Sequence, residues 1–261
     1  MVTATFRFYA ELNDFLARER RGESFTTPCA RDATTKHMIE ALGVPHTEVE
    51  LILVNGESSG LERLLEEGDR IAVYPQFSTF DVAPLARPQD RPPGRMRFIA
   101  DAHLGGLARL LRMAGFDTIY GNTMHDDEIE ERAMEESRVV LTRDRELLKR
   151  RGIDYGGYVR ALHAQEQLDE VFRRYGLAER ARPFTLCLHC NALLRSVPRA
   201  EVLDRLPPKV AELQDEFNIC DCCRRVYWKG SHWKRMAGML EGALDGAATQ
   251  HDDAHTPGED S

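Results

Sequence analysis

Two short apolar runs that each end in a carboxylate constrain the fold of this chain more than any other feature. The first is RFIAD at residues 97–101, and the second is VVLTRD at residues 139–144. Helical patterns lie between them, with apolar residues spaced three or four apart over residues 104–114 and again over 126–134. Strands that alternate with helices of about ten residues predict βαβ units and a parallel sheet.

Acidic side chains follow these runs where a parallel sheet presents its carboxyl edge. Asp101 and Asp144 end the two runs, and Asp126 starts the helical pattern before the second run. Ligands bind at this edge in open α/β sheets, and carboxylates gathered at close range do not all stay ionised without a cation. The expected cation is Mg²⁺ or Mn²⁺, with phosphate as co-ligand. Any one of the three is equally compatible with a helix cap or a turn.

Six cysteines occur, and four of them form two CxxC pairs separated by 29 residues. The pairs are Cys187 with Cys190, and Cys220 with Cys223. Two such turns close a tetrahedral Zn²⁺ site with no open position, so this zinc is expected to be structural. Cys222 offers a rival pairing with Cys220. Clustered cysteines favour a reduced, cytoplasmic protein over a disulfide scaffold.

The first 77 residues predict a separate α+β unit. Alternating apolar residues in TATFRFYAEL predict a strand, a second extended stretch lies near residues 23–27, and a helix is predicted over Thr34–Leu42. A strand then runs into Asn55-Gly56, and EEGDRIAVYPQF is a turn followed by a last strand, which gives the order ββαββ. This order resembles the β-grasp fold of ubiquitin-like sulfur carriers. The chain continues without a terminal Gly-Gly, so an interaction or substrate-guiding role is favoured over sulfur transfer, and the partner of this unit is unknown.

Charge is distributed unevenly along the chain, whose net charge is −8. Residues 1–80 carry −5, residues 182–236 carry +4 and residues 237–261 carry −6. The basic block that contains the cysteines is therefore the best candidate surface for nucleic-acid phosphates, although ordinary surface scatter is an equally good explanation. No apolar stretch reaches the roughly 20 residues of a membrane span.

Several motifs together resemble the Mut-seven C-terminal RNase family. They are RFIADAHLGGLARLLRMAGFDT, DDEIEERA, VVLTRDRELLKRRG, the paired CxxC and VYWKGSHWKRM. The resemblance implies a PIN-like nuclease fold with an appended zinc ribbon, often preceded by a ubiquitin-like module. It also implies a metal-dependent ribonuclease, so RNA is the expected partner, and the choice of RNA over DNA comes from the resemblance alone.

The resemblance places the catalytic carboxylates on Asp101, Asp126 and Asp144. Asp127 remains an alternative to Asp126, and Glu146 occupies a fourth acidic position where Asp is commoner. The family often has Lys where this chain has Gly106. The absence of that lysine would remove one phosphate contact here.

Basic and aromatic residues near these positions are candidates for RNA contact. They are Arg143, Arg145, Lys149, Trp233, Lys234 and Arg235. The arginines beside Asp144 can instead pair with nearby glutamates. Trp228 and Trp233 can pack against the zinc turns instead of stacking on RNA bases. Packing is favoured for Trp228, and packing and base stacking are equally favoured for Trp233.

The predicted organisation is a β-grasp module at 1–79, a proline-rich linker at 80–95, a PIN-like α/β domain at 96–181, a zinc ribbon at 182–236 and a disordered acidic tail at 237–261. The alternative function is a non-catalytic adaptor that binds nucleic acid or protein through the zinc ribbon and the β-grasp module.

Overall fold

The chain forms two compact units, and each is assembled from two separate stretches of sequence. The first comprises Met1–Arg95 and Met124–Tyr158, and the second comprises Met96–Thr123 and Val159–Ser261. The computed structural model describes residues 1–76 and 96–252, apart from the side chains of residue 232 and residues 245–252. The predicted linker at 80–95 and the residues after 252 lie outside this description.

The N-terminal part of the first unit has the predicted β-grasp arrangement. Its elements are β1 (Val2–Phe8), β2 (Phe25–Cys29), α1 (Thr35–Ala41), β3 (Val49–Val54), β4 (Glu57–Ser59) and β5 (Arg70–Pro75). The strands lie in the order β2-β1-β5-β3-β4. β1 and β5 are parallel, and the other neighbouring strands are antiparallel.

Local sequence explains these elements. Alternate residues of β1, including Phe6 and Phe8, are buried and pack near Phe25. The Thr34 side chain accepts a hydrogen bond from the N–H of residue 37 and so caps α1. Asn55 and the glycine after it both have positive φ, 54° and 90°, which is the backbone of the tight turn that joins β3 to β4.

Residues 96–175 alternate between strands and helices, as predicted. The elements are β6 (Phe98–Ala100), α2 (Gly105–Met113), β7 (Thr118–Tyr120), α3 (Asp126–Glu136), β8 (Val139–Thr142), β9 (Gly156–Tyr158) and α4 (Ala164–Tyr175). In the second unit β6 is parallel to β7, and in the first unit β8 is parallel to β9. α2 packs on β6, β7 and α4, and α3 packs on β8.

The core of the second unit joins helices to the β6–β7 pair through aromatic rings. Phe116 makes edge-to-face contacts with Phe98 and with Phe172 of α4, at centroid distances of 6.0 and 5.9 Å. α2 ends before Gly115, which has a φ of +89°. A Cβ at this glycine would lie 2.1 Å from the Arg182 carbonyl oxygen, so the close approach of this loop requires glycine.

The remaining elements form a small ribbon and a terminal helix. They are β10 (Leu194–Val197), α5 (Arg199–Val202), α6 (Pro208–Leu213), β11 (Phe217–Cys220), β12 (Val226–Trp228) and α7 (Ser231–Asp252). The strands form an antiparallel sheet in the order β10-β11-β12. Trp228 packs against the core of this sheet beside Phe217 and Ile219, in agreement with the packing role favoured for it.

α7 differs from the prediction that residues 237–261 are disordered. The helix continues through residue 252, and it packs against α4. Met236, Leu240 and Ala243 are buried at intervals of three or four residues. The Gly/Ala-rich composition of this segment made the apolar face hard to recognise in the sequence. None of the helices in the described part of the chain combines the length and apolar character needed to cross a lipid bilayer.

Candidate metal centre and active site

Four cysteine side chains converge in the second unit, as the paired CxxC motifs predict. The sulfur atoms of Cys187, Cys190, Cys220 and Cys223 all lie within 4.8 Å of one another. The Sγ–Sγ distance is 3.5 Å between Cys187 and Cys223 and 3.4 Å between Cys190 and Cys220. A tetrahedral site with Zn–S bonds of about 2.3 Å has S–S edges of about 3.8 Å, so the four thiols fit one Zn²⁺ ion.

The two CxxC turns have the same backbone hydrogen bonds. The N–H of Asn191 donates to the Cys187 carbonyl at 2.9 Å, and the N–H of Arg224 donates to the Cys220 carbonyl at 2.7 Å. The first cysteine of each turn donates to the carbonyl two residues beyond the second cysteine. Asn191 and Arg224 also share a positive φ, 68° and 63°. This common geometry favours the pairing of Cys220 with Cys223 over the rival pairing of Cys220 with Cys222, whose side chain is exposed.

The thiols have different electrostatic surroundings. Burial raises the pKa of Cys190 and of Cys223. Burial also raises the pKa of Cys187, but hydrogen bonds from the Tyr227 hydroxyl and from backbone N–H groups outweigh it and lower the pKa to about 6. The Tyr227 hydroxyl lies 3.1 Å from the Cys187 sulfur. A bound Zn²⁺ would favour the thiolate form of all four cysteines and so contribute to the folding of this region.

Two of the predicted catalytic aspartates follow strands and are held by local backbone hydrogen bonds. Asp101 follows β6, and its Oδ1 accepts a hydrogen bond of 2.6 Å from the Ala102 N–H, which caps a short 3₁₀ turn. Asp144 follows β8, and its Oδ1 accepts a hydrogen bond of 2.8 Å from the Glu146 N–H. The Asp144 N–H donates to the Thr142 hydroxyl at 2.9 Å. A carboxylate has about four acceptor positions, so these bonds leave capacity for a metal ion.

Arg150 gathers the acidic residues at the start of α3. Its Nε lies 2.5 Å from Glu130 Oε2, and its guanidinium also hydrogen-bonds the Asp127 carboxylate. The hydrogen bond from Arg150 is the main reason that the pKa of Glu130 is lowered. Asp126 lies farther away, with 4.0 Å between Oδ2 and the guanidinium. The metal role of these aspartates stays a prediction, since the one converging group of ligand atoms in the described ranges is the cysteine group.

The basic residues around Asp144 have partners close to them. Lys149 Nζ lies 2.9 Å from Glu146 Oε1, and Arg145 Nε lies 3.6 Å from the same oxygen. Arg145 also donates to the Phe15 carbonyl at 3.5 Å. Arg143 is half-buried. The pairing that sequence analysis offered as the alternative to phosphate contact is therefore present for Arg145 and Lys149.

The aromatic and basic run at the start of α7 is partly engaged in packing. The rings of Trp233 and Phe184 lie 4.6 Å apart, and Lys229 Nζ lies 5.9 Å from the centre of the Trp233 ring. Trp233 is half-buried, whereas Lys234 and Arg235 are exposed. Their contact with RNA remains a prediction.

Two family models match the chain, one on each side of the predicted linker. Residues 1–81 match the Mut7-C ubiquitin domain, and residues 96–240 match the Mut7-C RNAse domain. The second match covers more than half of the chain. The chain belongs to the Mut7-C RNAse family. The resemblance inferred from its motifs is thereby confirmed.

Structural and curated comparisons add little to the family assignment. Two crystal structures of small archaeal modifier protein 1 from Haloferax volcanii align with a part of the chain. The first is 20% identical, covers 30% of this chain and 100% of the modifier protein, and has a TM-score of 0.25. The second is 21% identical, covers 29% and 97%, and has a TM-score of 0.24. None of the curated proteins matches the chain.

Within the Mut7-C RNAse domain, Arg112 of α2 holds the first CxxC turn, and sequence analysis missed it. Its side chain is buried, and its Nε donates to the Thr118 carbonyl at 2.9 Å. One terminal nitrogen donates to the carbonyls of Leu188 and His189 at 3.2 and 2.8 Å. Burial is the main reason that the pKa of Arg112 is lowered. This residue joins the predicted nuclease segment to the cysteine cluster.

The Mut7-C ubiquitin segment contacts the RNAse segment inside the first unit, through residues that sequence analysis also missed. His46 Nε2 lies 3.0 Å from the Ile153 carbonyl oxygen. The Glu48 carboxylate accepts a hydrogen bond of 2.8 Å from the Tyr158 N–H of β9. The Tyr158 ring also makes an edge contact with Phe15 at 5.2 Å. His46 and Glu48 are 1% and 3% exposed, so polar groups of the module are buried against this segment.

Proposed function

We propose that this member of the Mut7-C RNAse family is a metal-dependent ribonuclease with a PIN-like nuclease domain. The observation that carries the proposal is the family match over residues 96–240, which contains all the predicted catalytic carboxylates. Asp101, Asp126 and Asp144 would hold Mg²⁺ or Mn²⁺. A bound ion of this kind lowers the pKa of a water molecule and neutralises charge on the transferring phosphoryl group.

The local hydrogen bonds support distinct roles for the acidic residues. Asp101 and Asp144 each receive a backbone N–H on one oxygen, which fixes the orientation of the carboxylate. The Asp127 carboxylate is hydrogen-bonded to Arg150, whereas Asp126 lies at 4.0 Å from it. Asp126 is therefore the better ligand candidate, and Asp127 is better suited to an ion pair. Glu146 pairs with Lys149 and is assigned a supporting role.

RNA is the proposed substrate, and the zinc site is proposed to be structural. The basic charge of residues 182–236 supports contact with phosphates. The proposed cytoplasmic location rests on the clustered cysteines, which suit a reducing compartment.

A nuclease assay on labelled RNA tests the proposal. Zinc-loaded wild type is compared with Asp101→Asn and Asp144→Asn, with Mg²⁺ or Mn²⁺ present or omitted. Omission of the divalent ion is preferable to a chelator alone, since a chelator would also attack the zinc site. Asp204→Asn is the matched control, because Asp204 is exposed and lies outside the predicted set. We expect cleavage only with the divalent ion, loss of cleavage in the first two variants and full cleavage in the control.

Two outcomes would contradict the proposal. Equal cleavage by wild type and both aspartate variants would identify a contaminating nuclease. RNA binding without any cleavage would favour the adaptor function. The ion pairs of Arg150 with Asp127 and Glu130 support that function specifically, because they give these two acids a structural role.

A further inference from the structure

A cavity of about 640 Å³ lies in the second unit between the start of α2 and the two zinc turns. Gly105 and Arg109 of α2 line it together with Tyr120 of β7. His189 of the first CxxC turn and Arg225, which follows the second, also line it. The wall thus combines both parts of the Mut7-C RNAse match, the nuclease segment and the zinc ribbon.

The cavity carries positive charge that its own wall does not neutralise. Arg109, Arg112 and Arg225 line it, and within the described residues no acidic side chain does. Arg109 and Arg225 are exposed residues, and neither side chain forms an ion pair or a hydrogen bond with any described residue. By contrast, the exposed Arg195 of the ribbon forms ion pairs with Glu201 and Asp221. Unpaired arginines in a concave site attract anions.

The wall is also held in place before any ligand arrives. Arg112 is fixed by three hydrogen bonds to backbone carbonyls. The Tyr120 hydroxyl donates to the Ala102 carbonyl at 3.1 Å, one residue after Asp101. A Cβ at Gly105 would lie 2.6 Å from the same hydroxyl, so glycine permits this contact. The cavity therefore begins within a few residues of a predicted catalytic carboxylate.

We propose that this cavity binds a phosphodiester group of the RNA substrate, with Arg109 and Arg225 as its contacts. Arginine presents forked donors that match two oxygens of a phosphate. The proposal rests on the proposed ribonuclease function and adds to it a substrate-positioning site outside the carboxylate set. A bound Zn²⁺ would then also fix the turn that precedes Arg225 and so help to position this arginine in the cavity wall.

Equilibrium binding separates this proposal from catalysis. Zinc-loaded full-length protein is titrated, without Mg²⁺ or Mn²⁺, into a fluorescein-labelled single-stranded RNA at several salt concentrations. Each phosphate contact on a single strand contributes about 0.7 to the slope of log K against log salt. We expect the double variant Arg109→Gln/Arg225→Gln to lose about 0.7 from this slope and to bind roughly tenfold more weakly at low salt.

Matched variants keep the result specific. Arg180→Gln, an exposed arginine of the same unit outside the cavity, is expected to bind as wild type. The double variant with lysines is expected to recover most of the slope because it retains the charge. Zinc content and circular dichroism confirm that each variant is folded.

Three outcomes would overturn the proposal. The first is an unchanged slope in the glutamine variant. The second is an equal loss in Arg180→Gln, which would indicate diffuse attraction. The third is binding of inorganic phosphate that requires the two arginines while RNA binding does not, which would assign the cavity to a free phosphate. If the glutamine variant loses RNA binding but wild type cleaves no RNA with Mg²⁺ or Mn²⁺, the cavity assignment stands and the proposed catalytic function fails.

Discussion

Replacing Arg112 by methionine tests whether the first zinc turn depends on helix α2. The substitution keeps an unbranched stem but removes the donors to the carbonyls of Thr118, Leu188 and His189. A hydrogen bond from a charged group contributes about 1.5–3 kcal/mol, but loss of the buried charge and rehydration of the outer carbonyls offset part of this. We expect the free energy of unfolding of the zinc-loaded protein to fall by about 3 kcal/mol.

Zinc affinity provides the second measurement for Arg112→Met. Loss of a group that orients the ligands of a metal typically weakens metal binding by about 10–100-fold. Urea unfolding gives the stability, and competition with a chromogenic chelator gives the zinc affinity. Arg109→Met is the matched control, because this exposed residue lies three positions earlier on the same helix. Wild-type stability and zinc affinity in Arg112→Met would refute the argument that these contacts hold the turn.

The remaining predictions concern one acid, one interface and the spare cysteine. Burial raises the pKa of Asp69, but hydrogen bonds from a backbone N–H, an amide and a guanidinium outweigh it and lower the pKa. The contribution of Asp69 to stability is therefore full above the ordinary pKa of about 4 and is lost as pH falls through the lower folded value. Asp69→Asn should lower the free energy of unfolding, measured with urea at pH 7, by about 2 kcal/mol. The stability of this variant should also change less as the pH falls. Glu48→Ala removes the acceptor of the Tyr158 N–H and should speed amide exchange of that strand, measured by mass spectrometry, whereas unchanged exchange would mean that β9 is held without the module. Cys222→Ser should retain one zinc per chain and Cys223→Ser should lose it, by elemental analysis; equal zinc loss in both would show that the exposed thiol takes part.

Features that depend on neighbouring residues were predictable from sequence. The convergence of the two CxxC pairs, the helix that begins near Thr34 and the turn at Asn55-Gly56 each follow from the conformation of a few consecutive residues. The β-grasp order and the alternation of strands and helices followed from apolar periodicity. These signals are short in range, so the sequence contains them directly.

Contacts between distant residues were not predictable. Arg112 reaches residues 76 and 77 positions away, and Glu48 reaches Tyr158 across 110 positions. A single sequence gives no sign that an arginine on an apolar helix is buried or that a glutamate pairs with a strand edge. Arg150 is a similar case, because its hydrogen bond with Asp127 distinguishes that residue from Asp126, and sequence could not rank these two neighbours.

The division of each compact unit between two stretches of sequence has a consequence for synthesis of the chain on the ribosome. The β-grasp core is built mainly from residues 4–73 and can therefore assemble early. Residues 124–158, which complete the same unit, emerge only after residues 96–123 of the other unit. At about 5–20 residues per second, synthesis of residues 96–158 takes on the order of 3–13 s, so the unit is complete only after that delay. The module then offers the carboxylate of Glu48 to β9 as that strand appears, so we expect the N-terminal module to act as a template for the late-arriving strand.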